Sequence, residues 1–266
     1  MPLKLVASIN PVRLETYRQE YARASGIPPE SVTEEQVAAL YVWQTALSAA
    51  WFESLAYTEA VLRHAMDGAL RDWNRKNSNS NSEDWLCNPD RKLASLVTKA
   101  ASDAEYRAKY AVKRRHNGHP RKGVAPTFDD LVSQLSFGNL SHLLATTPPT
   151  NRKKRDTGFN QRENLWISGL NDAFPALTLD RARRWAADLP GNIPDEVVPA
   201  YAVGQAMDRL VRLRNRVGHH EQILEVNHGR LRRDMYELIR ATPQGDAVAL
   251  SHLDRVPRTL ALKPVP

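Results

Sequence analysis

The sequence predicts an all-α fold, on three observations. Apolar residues recur at helical spacing through long stretches without proline, residues that cap helices stand just ahead of several of these stretches, and no segment alternates apolar and polar residues as a half-buried strand would. The chain of 266 residues is long enough to bury a sizeable core. With no internal repeat and no dividing linker, residues 1–266 are expected as a single all-helical domain. Flexible loops are expected at about 77–89, 116–126 and 148–158.

Asn10 followed by Pro11 reads as a cap and a first-turn proline, opening a helix that should reach about Ala24 before Gly26 and the Pro28-Pro29 pair. Thr33 with Gln36 is a capping box ahead of a much longer helix, expected to about Lys76, with no proline and only Gly68 inside it. The polar tract NSNSNS, Asn77 to Ser82, ends it. Asp90 to about Arg115 is again helical in period, and the stretch through Gly118, Pro120 and Gly123 breaks it. Thr127 and Asp130 cap a further helix, expected to run through LVSQLSFGNLSHLLA to Pro148-Pro149. Further helices are expected at about 159–171, 178–188, 195–224 and 228–240, and in the tail after Thr242. Trp43, Trp51, Trp73, Trp85, Trp166 and Trp185 are expected mostly in the core, with base stacking open to any exposed member.

The 37 Lys and Arg against 30 Asp and Glu give a net charge of +7, which favours a polyanionic partner. The excess concentrates at Lys113 to Lys122 (KRRHNGHPRK) and Asn151 to Arg155 (NRKKR). Lys113, Arg114, Arg115, Arg121, Lys122, Arg152, Lys153, Lys154 and Arg155 are therefore candidate RNA-binding residues, against a reading as solvated loop charge. Cys87 is the only cysteine, so no intrachain disulfide can form. No signal-peptide pattern opens the chain and no stretch is apolar enough to span a bilayer, so a soluble, cytoplasmic protein is expected.

The segment LRNRVGHHEQIL, Leu213 to Leu224, carries the chemistry. Leu210, Leu213, Val217 and Leu224 form one stripe of the expected helix 195–224, which should pack on the core. At about 100° per residue, Asn215 and His219 fall together on the opposite side, roughly 160° from Val217. Arg214 and His220 flank the buried stripe, so Arg214 reaches His219 only through its long side chain or by distortion near Gly218. Histidine moves protons near neutral pH and arginine grips phosphate, which are the parts for phosphodiester cleavage without a metal or other cofactor. His219 would act on the ribose 2′-hydroxyl or the leaving oxygen, Arg214 on the phosphate charge, and Asn215 on orientation. Arg212 and Arg216 add positive charge for RNA nearby. An ordinary solvated helix face is the competing reading, and the same spacing recurs at Arg114 to His119 in a loop with no rigid scaffold. The adjacent His219, His220 and Glu221 diverge around a helix, so no metal site is expected.

This segment resembles the R-N-x-x-x-H-H-E hallmark of the Abi-like (abortive infection, AbiD/AbiF) family. ALYVWQTALSAAWFESLAYTEAVLRHAMD resembles the family's N-terminal helix and LVSQLSFGNLSHLL its Leu-Ser-Phe-Gly motif, and LWISGLNDAFP and RVPRTLALKP also fit. The family belongs to the HEPN group, so the resemblance implies a HEPN-like helical bundle with additional helices. It implies a homodimer pairing two R-x4-H motifs, and RNA cleavage leaving a 2′,3′-cyclic phosphate. It gives Arg214, Asn215 and His219 the catalytic positions, with His220 and Glu221 as supporting residues. Glu59 and Arg63 match the family's E-x-x-x-R pattern, but His64 stands where asparagine is common. Four apart on a helix, Glu59 and Arg63 are expected to form an ion pair and to hold the motif helix. Gly138 is expected to mark close helix packing. The function expected is a metal-independent endoribonuclease of a toxin-like defence system, cutting single-stranded or loop RNA. The alternative is a non-catalytic protein that holds a structured noncoding RNA through basic surfaces. The resemblance also implies restraint of the nuclease by a partner, either a neighbouring protein or a structured noncoding RNA, and the basic loops would suit the latter.

Overall fold

The computed structural model describes residues 2–149 and 158–265, and among them there is no β-strand. The helices in order are α1 (Pro2–Val6), α2 (Pro11–Ser25), α3 (Glu34–Asn77), α4 (Arg91–Lys113), α5 (Phe128–Ser133), α6 (Phe137–Ser141), α7 (Gln161–Ser168), α8 (Leu179–Trp185), α9 (Val198–Gly218), α10 (His228–Ala241), α11 (Ala247–Leu253) and α12 (Val256–Leu260). The basic segment Asn151 to Arg155, with its candidates Arg152, Lys153, Lys154 and Arg155, lies outside the described residues. The chain forms two compact units, Met1–Tyr57 with Arg212–Arg230 and Val248–Pro266, and Thr58–Val211 with Leu231–Ala247.

Caps set most of the helix starts. Asn10 Oδ1 accepts from the Val12 N–H, and Thr33 and Gln36 exchange side-chain to backbone bonds at 2.8 and 3.3 Å. Together such bonds satisfy amides that a helix start leaves without partners. At the end of α2, Gly26 takes the left-handed conformation, φ 67°, that a residue with a Cβ resists.

In the first unit, Trp51 and Leu47 are fully buried, and Trp43 and Tyr17 nearly so. Trp43 Nε1 donates to the Thr259 carbonyl at 2.7 Å, and Trp51 Nε1 to His228 Nδ1 at 3.0 Å. Burial pushes His228 down to about 4, so the ring is neutral at physiological pH. The buried Glu20 carboxylate receives Lys263 at 2.9 Å and Arg23 at 2.6 Å. Burial alone would raise its pKa, and the two cations outweigh that and lower it.

In the second unit, the fully buried Asp234 accepts from Trp185 Nε1 at 2.9 Å and from Arg209 at 2.6 and 3.0 Å. A buried carboxylate left unpaired would be strongly destabilising, and this one is saturated. Asn74, also fully buried, pins the segment after α3 by bonds to the Ser82 and Asn88 carbonyls and to the Asp90 N–H. All six tryptophans are buried, which leaves none as an exposed stacking platform.

Three expectations are corrected. The helix expected from 128 to 147 is broken: Ser136 and Asn139 form their own capping box, and the chain restarts as α6. A reciprocal cap satisfies the amides locally, so the helix stops although the apolar pattern continues. Gly138 is not a close-packing glycine, because a Cβ there would lie 3.9 Å from Val211 Cγ1, an ordinary contact. On α9 a close approach occurs instead at Gly204, where a Cβ would fall 2.1 Å from the Ala145 carbonyl oxygen. The helix expected at 195–224 runs only from Val198 to Gly218, which places His219 just beyond its last residue.

Candidate functional site at the end of α9

Leu210, Leu213 and Val217 are buried, as are Ile223 and Leu224 just beyond the helix, so the segment is anchored on one side throughout. Arg212, Arg214, Asn215, His219, His220 and Glu221 are exposed, and Arg216 is half-buried. Asn215 and His219 are both exposed, opposite in burial to that stripe.

The helix ends in a Schellman turn. His219 N–H donates to the Asn215 carbonyl at 2.8 Å, His220 N–H to Val217 at 3.1 Å, and Glu221 N–H to Arg216 at 2.8 Å. The left-handed residue of this turn is usually glycine. Here it is His220, with φ 56°. Arg13 of α2 donates to the His220 carbonyl, and a charge-assisted bond there holds a backbone conformation that histidine would otherwise leave. Arg13, Thr16, Tyr17, Arg216, His219, His220, Glu221 and Gln222 line a cleft of about 340 Å³. Burial pushes Tyr17 up to about 12, so its hydroxyl, bonded to Gln44, keeps its proton. Arg216 stands 3.7 Å from Glu221, and its Nε is buried without a hydrogen bond.

Arg214 runs forward toward the end of α9, its Nη1 3.7 Å from where a Cβ on Gly218 would stand, an ordinary contact distance. Among the described residues, the side chains of Arg214, Asn215 and His219 make no hydrogen bond or ion pair. A cation, an amide and an imidazole thus stand in solvent at the end of an anchored helix.

Glu59 and Arg63 form the expected ion pair, and Arg63 also donates to the Leu135 carbonyl at 2.9 Å. Arg63 therefore secures the turn before Ser136, whose neighbour Gly138 lies against Val211 of α9. His64 is exposed. In the basic cluster, Lys113, Arg114 and Lys122 are exposed. Arg121 donates two hydrogen bonds to the Asp130 carboxylate, Arg115 donates to the Arg121 and Val124 carbonyls, and Lys122 donates to the Arg115 carbonyl. Three of those five cations, Arg115, Arg121 and Lys122, therefore organise their own loop. At the second R-x4-H spacing, His119 Nδ1 accepts from the Arg121 N–H at 3.0 Å while the Arg114 guanidinium lies over Tyr110.

Arg13 and Thr16 of the cleft were not anticipated. No local signal could have found Arg13, because its partner is 207 residues away in the chain.

Fold and site define an all-helical protein that presents a basic, histidine-bearing helix end to solvent. A family model described as Abi-like protein matches residues 4–225, and the chain belongs to that family. Membership points to a function of the abortive-infection type. No curated protein and no solved structure matches the chain. Among the described residues no helix is long and apolar enough to cross a membrane.

Proposed function

We propose that the chain is a metal-independent endoribonuclease of the HEPN type, acting in the cytoplasm in a toxin-like defence system on single-stranded or loop RNA. The observation that carries this reading is the solvent-facing set Arg214, Asn215 and His219, free of internal partners at the end of a helix whose other face is buried.

In the reaction, the ribose 2′-oxygen attacks the adjacent phosphorus and His219 takes the 2′-hydroxyl proton. The bond from phosphorus to the 5′-oxygen breaks, and that oxygen receives a proton from a second His219 or from water. The products are a 2′,3′-cyclic phosphate and a free 5′-hydroxyl. Arg214 offsets the charge that grows on the non-bridging oxygens, and Asn215 orients the imidazole or the phosphate by hydrogen bonds. A homodimer that brings two motif segments together would supply both the base and the acid. Arg212, Arg216 and the exposed Lys113, Arg114 and Lys122 would attract the RNA backbone, and a structured noncoding RNA could restrain the enzyme through the same charges.

The test is cleavage of end-labelled single-stranded RNA in EDTA, with chemical identification of the termini. Cyclic-phosphate ends from wild type, none from Arg214→Ala or His219→Ala alone, and partial recovery when the two variants are mixed are the expected results. RNA bound but left whole by wild type would assign the non-catalytic role instead.

A further inference from the structure

On α4 the buried face comprises Leu93, Leu96, Val97, Ala104 and Ala108. The opposite face carries Tyr106, 72% exposed, and Tyr110, 46% exposed. The two rings are stacked, with centroids 6.4 Å apart and planes 12° from parallel. Arg114 continues the row, its guanidinium carbon 4.6 Å from the Tyr110 centroid. Tyr106 and Tyr110 are one turn apart on α4 and Arg114 caps its end, so two aromatic rings and a guanidinium form a row about 12 Å long. Lys113 is exposed beside its end. A single surface tyrosine needs no explanation. Two large rings held parallel in solvent, with a cation on the outer one, form a surface with a defined complement.

We propose that Tyr106, Tyr110 and Arg114 are a stacking platform for unpaired bases of single-stranded RNA. Flat π-faces accept any base, and the guanidinium adds cation–π attraction and a phosphate contact. Arg114 and Lys113 supply the charge complementarity, because Lys109 and Glu105 on the same helix neutralise each other as an ion pair. A-form duplex RNA keeps its bases stacked inside, so the platform selects single-stranded segments. The site rests on the reading of the chain as an RNA-acting protein, but it does not require that the chain cleave.

The experiment measures fluorescence anisotropy of a labelled oligouridylate of about 12 nucleotides, within the usual site size for stacking platforms. The full chain carries His219→Ala so that the RNA stays intact. Tyr106→Ala and Tyr110→Ala are each expected to weaken binding by roughly tenfold. Tyr110→Trp should retain binding, and Tyr110→Leu should not. Arg114→Gln should weaken binding and flatten its salt dependence, and a duplex of equal length should bind less tightly than the single strand. Unchanged affinity in both alanine variants with an unchanged melting temperature would overturn the platform, while leaving cleavage by the wild-type chain to be judged separately. A change in sedimentation mass in those variants would also overturn it, by assigning the face to protein contact.

Discussion

The chain holds the spacing arginine, four residues, histidine twice, at Arg114 to His119 and at Arg214 to His219, and the two regions are built differently. In the first, His119 accepts a backbone N–H, Arg114 lies on a tyrosine ring, and neighbouring Arg121 is bound to Asp130. In the second, the helix is anchored by Leu210, Leu213 and Val217, while Arg214, Asn215 and His219 have no side-chain partners. Spacing alone does not make a site. What separates the two regions is the histidine: His119 already accepts a hydrogen bond within its loop, whereas His219 follows an anchored helix and has no side-chain partner among the described residues.

The largest expected effect sharpens this contrast at the arginines. Arg214→Ala should lower kcat by at least about 100-fold, the order seen when a group that meets transition-state charge is removed. Arg114→Ala should leave kcat within about twofold and raise KM, because in the proposed platform that arginine would meet RNA away from the reacting phosphate. Steady-state kinetics on one RNA separates the two.

A smaller effect is expected at Arg13, which holds the His220 carbonyl and so the turn beside His219. Arg13→Ala should lower kcat roughly tenfold, because misplacing a reacting group weakens catalysis without removing it. His220→Gly in the same chain should restore much of the rate, since glycine takes the left-handed conformation unaided. If Arg13 instead bound substrate, His220→Gly would restore nothing.

Stability effects come next. His228 has its folded pKa pushed by burial to about 4, below its unfolded value near 6.5. The unfolded chain therefore binds the extra proton first as pH falls, so this contribution is full above about 6.5 and is lost progressively toward about 4. The melting temperature should drop by several degrees across that window, and by less in His228→Gln, as calorimetry would record. Asp130 is smallest. Its pair with Arg121 and its cap bond to Thr127 hold its carboxyl down at about 2, so its contribution is present above the ordinary carboxylate range and fades only in strong acid. Asp130→Ala should lower the melting temperature by a few degrees and loosen residues 115–124 to amide exchange, with cleavage unchanged.

Helix starts were legible because caps are local: Asn10, Thr33, Asp90 and Thr127 each announce a helix within three residues. Two ends were not. The Ser136 and Asn139 box sits inside an apolar pattern that keeps helical spacing, and the pattern masked it. The end of α9 has histidine where glycine would have signalled a stop, and the bond that supports it comes from Arg13, far away in sequence. The outward direction of Asn215 and His219 was legible from the wheel, since burial fixed the opposite face. The cleft and the tyrosine row were not, because they depend on which faces other elements leave uncovered.

The most direct measurement compares His219→Ala with His119→Ala on the same single-stranded RNA, in EDTA, scoring 2′,3′-cyclic phosphate ends over time. Wild type and His119→Ala should release such ends at rates within about twofold, and His219→Ala should lose at least about 100-fold, the usual lower bound for a proton-transferring group. Cleavage by His219→Ala at the wild-type rate would contradict that role.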